Sequence, residues 1–376
     1  MRNRTDKIKV MTIFGTRPEA IKMAPLVNRL KQEKMIETYV CVTAQHREML
    51  DQVLALFNIA PDFDLDIMKK NQTLTQITAR VLEGLEEVIK ETAPEIILVH
   101  GDTTTTFAGA LAAFYHQVKV GHVEAGLRTY NKYSPFPEEM NRNLTGHIAD
   151  FHFTPTIKNK RNLLKEGIPE NSIYLTGNTV IDALLETSKK EYSFNNPELQ
   201  KVDFSNRIIT VTCHRRENLG EYMNNIFYSL KDIAEKFSDV EIVFPVHLNP
   251  KVRRLASEIL GSAERIHLIH PLEYQPFVKL MSKSHLIITD SGGLQEEAPA
   301  LGKPVLVVRK ETERPEAIEA GTVKLAGVQR KEIFELVKEL LLNQEEYDKM
   351  AKAVNPYGDG KASQRIVKII KESFSI

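Results

Sequence analysis

Net charge is the first thing this chain lacks. Its 50 Lys and Arg are balanced by 50 Asp and Glu, so there is no basic excess to draw in a nucleic acid. A neutral total still leaves room for a local basic pocket. Cysteine is nearly absent as well. Cys41 and Cys213 are the only two, far apart and without zinc-ligand spacing, which argues against a disulfide framework or a metal knot. No apolar run reaches the length of a membrane-spanning helix. The basic start, MRNRTDKIKVMTIFGTRPE, holds an apolar stretch too short for a secretory signal before Gly-Thr-Arg-Pro interrupts it. The expectation is a cytoplasmic protein with neither nucleic acid nor membrane as partner. No G-x-G-x-x-G follows the first apolar run, which disfavours an NAD-dependent enzyme. Tryptophan is missing altogether, and nothing follows from that.

What is present is length and alternation. A chain of 376 residues is too long for one ordinary core and suits two domains. Short apolar runs at 9–14, 38–43, 96–99, 118–123 and 151–153 read as strands, each followed by a helical pattern. Polar residues 191–206, with Asn-Asn-Pro inside, read as a linker. The alternation then restarts, with strands at 208–212, 241–244, 266–269, 286–289, 304–308 and near 322–325. The fold class is therefore α/β, with two Rossmann-like, doubly wound domains. The first spans 1–190, and the last helix, 362–376, is available to pack back on it; the second spans 207–361. Ligands of open α/β sheets bind beyond the carboxyl ends of the strands. Two such halves facing each other would place those ends across one cleft.

Polar residues collect at those ends. In the first half they are Arg17 and Lys22, then Asp102, then Glu124 and Arg128, then Glu138, Glu139 and Arg142. In the second half they are His214, Arg215, Arg216 and Glu217, then His247, then Ser291 with two glycines, then 309–314. Each has a plainer reading. Arg17 suits a solvated loop, Asp102 a helix N-cap, and Glu138 and Glu139 the first turn of a helix, while His214 and His247 read as satisfied, partly buried histidines. The stretch TDSGGLQEEAP from Thr289 reads as strand, small-residue turn and helix start, a place for a phosphate. Its plainer reading is a tight turn with Asp290 or Ser291 as N-cap. There Glu296 and Glu297 fall in the first helical turn, serving the dipole or ribose hydroxyls. A thiol dyad of Cys213 and His214 is disfavoured, because neighbours on an extended segment point to opposite faces.

Ten motifs together resemble the non-hydrolysing bacterial UDP-N-acetylglucosamine 2-epimerases. They are GTRPEAIKMAPL at Gly15, TAQHREML at Thr43, VHGDTTTT at Val99, GHVEAGLRT at Gly121 and FPEEMNR at Phe136. TGNTVIDAL at Thr176, HRRENLG at His214, TDSGGLQEEAP at Thr289, ERPEAIEAGT at Glu313 and NPYGDG at Asn355 complete the set. The likeness runs in order through nearly the whole chain. It implies the GT-B architecture, a homodimer, and interconversion of UDP-N-acetylglucosamine and UDP-N-acetylmannosamine for envelope polysaccharide synthesis. Carried over residue by residue, it implies Asp102, Glu124, Glu138 and His214 as the catalytic group. It implies Arg17, Lys22, Phe277, Ser291, Gly292, Gly293, Glu297 and Arg314 as contacts to the UDP-sugar. It further implies an allosteric UDP-N-acetylglucosamine site at Gln45, Gln72, Glu138, Arg215 and His247.

The chemistry such a reaction needs agrees with those residue types. Carbon 2 of the sugar has no neighbouring carbonyl, so its proton is not acidic. Elimination of UDP to a 2-acetamidoglucal and re-addition is the available route. It needs a diphosphate clamp, carboxylates near both faces of carbon 2, and anions beside the anomeric carbon. Arginines, a histidine and backbone N–H groups can neutralise a diphosphate, so neither metal nor cofactor is expected. A retaining glycosyltransferase of the same architecture would need an acceptor surface, and no such patch is apparent. A hydrolysing epimerase would use related motifs and release free sugar. A UDP-sugar sensor would have no need of three carboxylates.

Overall fold

Runs such as IKVMTIF and IILVH are apolar on both faces, which suits central parallel strands covered on each side by helices. The computed structural model describes residues 7–44, 47–69 and 71–375. It divides into two units, Met1–Ala183 with Tyr357–Ile376, and Leu184–Pro356. The first holds a seven-stranded sheet. Its strands are β1 (Ile8–Phe14), β2 (Ile36–Val42), β3 (Phe63–Asp64), β4 (Ile96–His100), β5 (Lys119–Val123), β6 (Phe151–Thr154) and β7 (Ile173–Leu175). They lie in the order β3-β2-β1-β4-β5-β6-β7, all parallel. The second unit holds β8 (Arg207–Thr212), β9 (Val240–Pro245), β10 (Ile266–Ile269), β11 (Ser284–Thr289), β12 (Val305–Val307) and β13 (Val323–Leu325). Their order is β10-β9-β8-β11-β12-β13, again all parallel.

Each sheet therefore reverses its winding once, between β1 and β4 in the first unit and between β8 and β11 in the second. Such a switch point leaves a crevice at the strand ends because the flanking helices depart to opposite faces. Both units are doubly wound, as the alternation in the sequence predicts. Among the described residues no helix is long and apolar enough to cross a membrane.

Three local findings differ from the expectation. Strands β3 and β7 were not anticipated; both are short edge strands. The stretch 191–206 belongs with the second unit. Leu199 and Val202 are buried beside Ile208, Val243 and Leu280, and the Phe194 and Phe204 rings stack with centroids 5.1 Å apart. Its polar residues mark the outer face of a covering segment, not a free connector. Finally, a helix over Thr179–Lys189, which was not anticipated, follows TGN. Asp182 on that helix accepts hydrogen bonds from the backbone N–H groups of Ala362 (3.1 Å) and Ser363 (2.8 Å). It thereby satisfies two of the free donors of the last helix, Ala362–Ser373, and fastens that helix within the first unit.

Burial also places uncharged imidazoles in the frame. His122 is fully buried on β5, and its Nε2 lies 2.7 Å from the Gly101 carbonyl oxygen. That contact requires Nε2–H and leaves Nδ1 bare inside the protein. Burial pushes its pKa down to about 3, and that of His285 down to about 4. In the unfolded chain both titrate at about 6.5. Folded values below unfolded ones mean stability that is full above about pH 6.5 and is lost as pH falls toward 4 and then 3. The urea midpoint should therefore drop across that window, and the drop should be smaller in His122→Gln. A flat profile from pH 6.5 to 4 would contradict this.

Candidate functional site

The first switch point is built around a carboxylate that the sequence reading passed over. Glu19, in the first turn of the helix Arg17–Lys31, is 2% exposed. Its Oε2 accepts from the backbone N–H of Gly15 (3.1 Å) and Thr16 (2.8 Å). Its Oε1 accepts from the hydroxyls of Thr103 (2.7 Å) and Thr106 (3.3 Å). One side chain thus ties the loop after β1 to the loop after β4. Gly15 must be glycine here, since a Cβ would collide with the Thr43 hydroxyl. Arg17 follows on this braced loop, partly exposed, with no counter-ion among the described residues.

Three carboxylates, Glu124, Asp102 and Glu138, lie on the segments that follow β5 and β4, and their surroundings differ. Glu124 follows β5 at φ 64°, the left-handed region that few side chains adopt. Its Oε2 receives the Lys22 ammonium and the Asn178 amide (2.9 Å), and lies 3.7 Å from the His100 Nε2. Burial opposes its charge, but Lys22 and His100 outweigh burial and hold the carboxyl well below its ordinary range. Glu124 is thus a fixed anion. Lys22, expected to touch the UDP-sugar, is here its ion-pair partner.

Asp102 does not cap the helix after β4; Thr103 does, accepting from the Thr106 N–H at 3.1 Å. The Asp102 carboxylate instead pairs with the Arg142 guanidinium, and its backbone carbonyl accepts from the Asn141 amide at 3.0 Å. The helix Glu138–Ile148 supplies both partners. Glu139 on that helix is 1% exposed. It accepts from the N–H of Thr129 and Tyr130 at 3.0 Å, so it organises the loop before the helix. Glu138 differs from its neighbour. Its Oε2 is buried and has no hydrogen-bond partner among the described residues. Arg128 belongs to the frame, because it is buried and forms a two-pronged pair with Glu166 at 2.7 and 2.8 Å.

The second switch point presents cations around a glycine turn. The helix there runs Gly292–Glu297, with a 3-10 turn Ala298–Leu301 after it, so it begins two residues before expectation and is short. Ser291 occupies the N-cap position without a side-chain cap bond. Glu296 and Glu297 consequently close this helix instead of opening it, and neither offsets the positive end of its dipole. The guanidinium groups of Arg215 and Arg314 both lie 3.9 Å from where a Gly292 Cβ would stand. They supply the positive charge that so short a helix could not. Arg314 is also ion-paired to Glu296 at 2.5 Å. Its loop is set by Gln295, which donates to the Ser291 carbonyl (3.1 Å) and accepts from Thr312 (2.5 Å). Glu297 folds back beside Gly293, its Oε1 3.4 Å from a Cβ built there. Phe277 sits half-buried on the helix Tyr274–Lys283.

His214 and Arg215 follow β8 and rest on Asp290, which follows β11. The His214 ring is partly exposed and stacks on His247, with centroids 5.3 Å apart. Burial lowers its pKa, with His247 and Arg215 acting the same way and Asp290 opposing them. Cys213 is buried and its thiol is pushed well up by burial and by Asp290, which makes it a poor nucleophile. Of the residues expected at an allosteric site, Gln45 lies outside the described residues. Gln72 accepts from Arg80 at 2.6 Å, and His247 accepts the Asn249 N–H at 3.1 Å through Nδ1. Glu19 carried a local signal, the Thr16-x-x-Glu19 spacing of a capping box; the roles of Asn178, Asn141, His100 and Asp290 had none, because each acts on a partner remote in the chain.

With this geometry established, comparison with known proteins is informative. The family model for UDP-N-acetylglucosamine 2-epimerase matches residues 28–371. The Bacillus subtilis (strain 168) UDP-N-acetylglucosamine 2-epimerase is 61% identical over 361 residues, 96% of this chain and 94% of that protein. A crystal structure of a UDP-N-acetylglucosamine 2-epimerase superposes with a TM-score of 0.92 at 57% identity, covering 98% of this chain and 97% of the other. The Neisseria meningitidis UDP-GlcNAc 2-epimerase bound to UDP-GlcNAc gives 0.84 at 52% identity, covering 97% and 100%.

Proposed function

Because this chain belongs to the UDP-N-acetylglucosamine 2-epimerase family, whose members are isomerases, we propose that it converts UDP-N-acetylglucosamine to UDP-N-acetylmannosamine reversibly, without hydrolysis, by elimination and re-addition of UDP. The observation that carries the mechanism is the unequal treatment of neighbouring carboxylates. Glu124 is locked as an anion by Lys22 and Asn178, while the Glu138 Oε2 has no donor. A fixed anion suits stabilisation of positive charge developing at the anomeric carbon. A bare carboxylate oxygen suits proton transfer.

In the forward half-reaction the carbon 2 proton passes to a carboxylate, and the electrons of that C–H bond form the C1=C2 bond. The C1–O bond breaks and its electron pair leaves with UDP. In the return half-reaction a β-phosphate oxygen bonds to carbon 1, and carbon 2 takes a proton on its other face. Asp102 and Glu138 are the groups we assign to these transfers. The glycine turn at Ser291, Gly292 and Gly293, with Arg215 and Arg314 beside it, would hold the diphosphate. Arg17 and His214 would balance the charge of the leaving group, Glu297 would take the ribose hydroxyls, and Phe277 would pack near the uracil. The Neisseria meningitidis protein bound to UDP-GlcNAc supports this ligand class. Incubation with UDP-N-acetylglucosamine and separation of the products tests the reading. A mixture of the two UDP-sugars is expected. Free N-acetylmannosamine with UDP would instead mark a hydrolysing enzyme.

Two finer features belong to the same proposal. Substrate UDP-N-acetylglucosamine would bind a second site near Gln45, Gln72, Glu138, Arg215 and His247 and activate the enzyme. UDP-N-acetylmannosamine alone should then turn over with a lag that a trace of UDP-N-acetylglucosamine abolishes; linear progress from the start would remove this site. A homodimer is supported by exposed apolar side chains on two helices that pack together. Phe114 and Tyr115 lie on one, Thr104–Tyr115, and Met140 and Leu144 on the other, Glu138–Ile148. Sedimentation at the monomer mass would contradict it.

A further inference from the structure

Asp290 is the one fully buried carboxylate at the second switch point, and its two oxygens have different surroundings. Its Oδ2 accepts three hydrogen bonds, from the backbone N–H of His214 (2.8 Å) and Arg215 (2.8 Å) and from the Asn218 amide (3.1 Å). Asn218 is itself buried and also donates to the Val308 carbonyl at 3.1 Å. Its Oδ1 accepts no hydrogen bond, yet it lies 3.3 Å from the His214 Nδ1. A strut that only fixed the loop would need the first oxygen alone. The second oxygen is a buried, unpartnered anion aimed at an imidazole whose other face is partly open.

We propose that Asp290 is a positioning residue for His214: it holds Nδ1 protonated, turns Nε2 toward ligand, and makes the imidazolium the form present when a diphosphate binds there. The inference rests on the function proposed above for what Nε2 meets, but not for the orientation of the ring. The logic is that of any carboxylate–imidazole pair. An acceptor at Nδ1 selects the tautomer and stabilises the positive ring without taking its proton. Without a ligand, burial disfavours the charged ring, and the neighbouring Arg215 and the stacked His247 add to that. Arg314 lies at the same turn as Arg215, and Cys213 is uncharged because burial and Asp290 push its thiol well up. Among the described residues, Asp290 is therefore the one anion paired with this ring. An incoming diphosphate adds negative charge on the Nε2 side, so the ring lies between two anions and takes up a proton. In the elimination half-reaction that Nε2–H can donate to the departing phosphate oxygen; in re-addition it is recovered.

The test is Asp290→Asn, in which the amide oxygen can still accept the three hydrogen bonds while the amide NH2 faces Nδ1. Ring nitrogen-15 NMR of His214 reads the outcome in the ligand-free full chain, with no substrate needed. Wild-type protein should show Nδ1–H in the neutral form and proton uptake on adding UDP. The variant should show Nε2–H, no uptake with UDP, and a kcat lower by about a hundredfold or more, with its pH profile shifted. An Nε2–H tautomer in the wild-type ring would overturn the proposal. So would a variant with the wild-type tautomer and pH profile, whatever its kcat, since that result describes a strut. If wild-type protein shows the ring behaviour but no epimerisation, the functional reading fails and the role of Asp290 stands.

Discussion

Glu138→Gln should lower kcat by about a hundredfold or more, equivalent to about 2.7 kcal/mol of transition-state stabilisation, while UDP still binds. The amide keeps the size and polarity of the side chain but cannot take up a proton. The Glu138 Oε2 is buried without a hydrogen-bond partner, so the substitution breaks no bond at that oxygen and the loss reports on chemistry. Asp102→Asn should behave similarly, with a structural component added because it also removes the ion pair to Arg142. Comparing the two separates proton transfer from framework. Steady-state kinetics and UDP titration check both, and near-normal turnover in Glu138→Gln would refute its role.

Glu19→Ala should cost about 3 kcal/mol or more of stability, because it removes the acceptor of the Gly15 and Thr16 N–H groups and of the Thr103 hydroxyl, while the Thr106 hydroxyl keeps the His100 carbonyl, and each buried donor left unpaired costs about 1–3 kcal/mol. The two backbone donors, at Gly15 and Thr16, lead into Arg17; the two hydroxyl donors, Thr103 and Thr106, flank the start of the helix after Asp102. Activity should therefore fall with stability, since Arg17 and Asp102 would lose their common brace. Glu19→Gln should be much milder, because one amide oxygen can serve both N–H groups and the hydroxyls can reorient toward its NH2. Urea unfolding with the linear extrapolation method measures both. Equal stability losses for Ala and Gln would mean that the negative charge, not the hydrogen bonding, is what the site requires.

The contrast between what could and could not be read in the chain follows from distance along it. All six strands of the second sheet were legible, because runs such as RIITVT and VEIVFP are rich in β-branched and other apolar residues and bounded by polar turns. β3 was not, since two residues, Phe63 and Asp64, inside an acidic stretch carry no periodicity. They pair only because Cys41 and Val42 lie alongside. Polar residues at strand ends could be listed from the alternation alone. Their division of labour could not. Glu138 and Glu139 are adjacent in sequence and alike in type, yet one binds two backbone N–H groups and the other keeps a bare oxygen. Asp290 read as an N-cap because its nearest helix starts two residues later. Its real partners, His214, Arg215 and Asn218, are at least 72 residues away.

In the proposed reaction carbon 2 loses its hydrogen to the enzyme and takes another back from solvent on the opposite face. Running the reaction on UDP-N-acetylglucosamine in deuterated water and following the sugar by proton NMR measures this directly. The expected product is UDP-N-acetylmannosamine carrying deuterium at carbon 2. Product that keeps the original hydrogen there would contradict elimination and re-addition with solvent exchange.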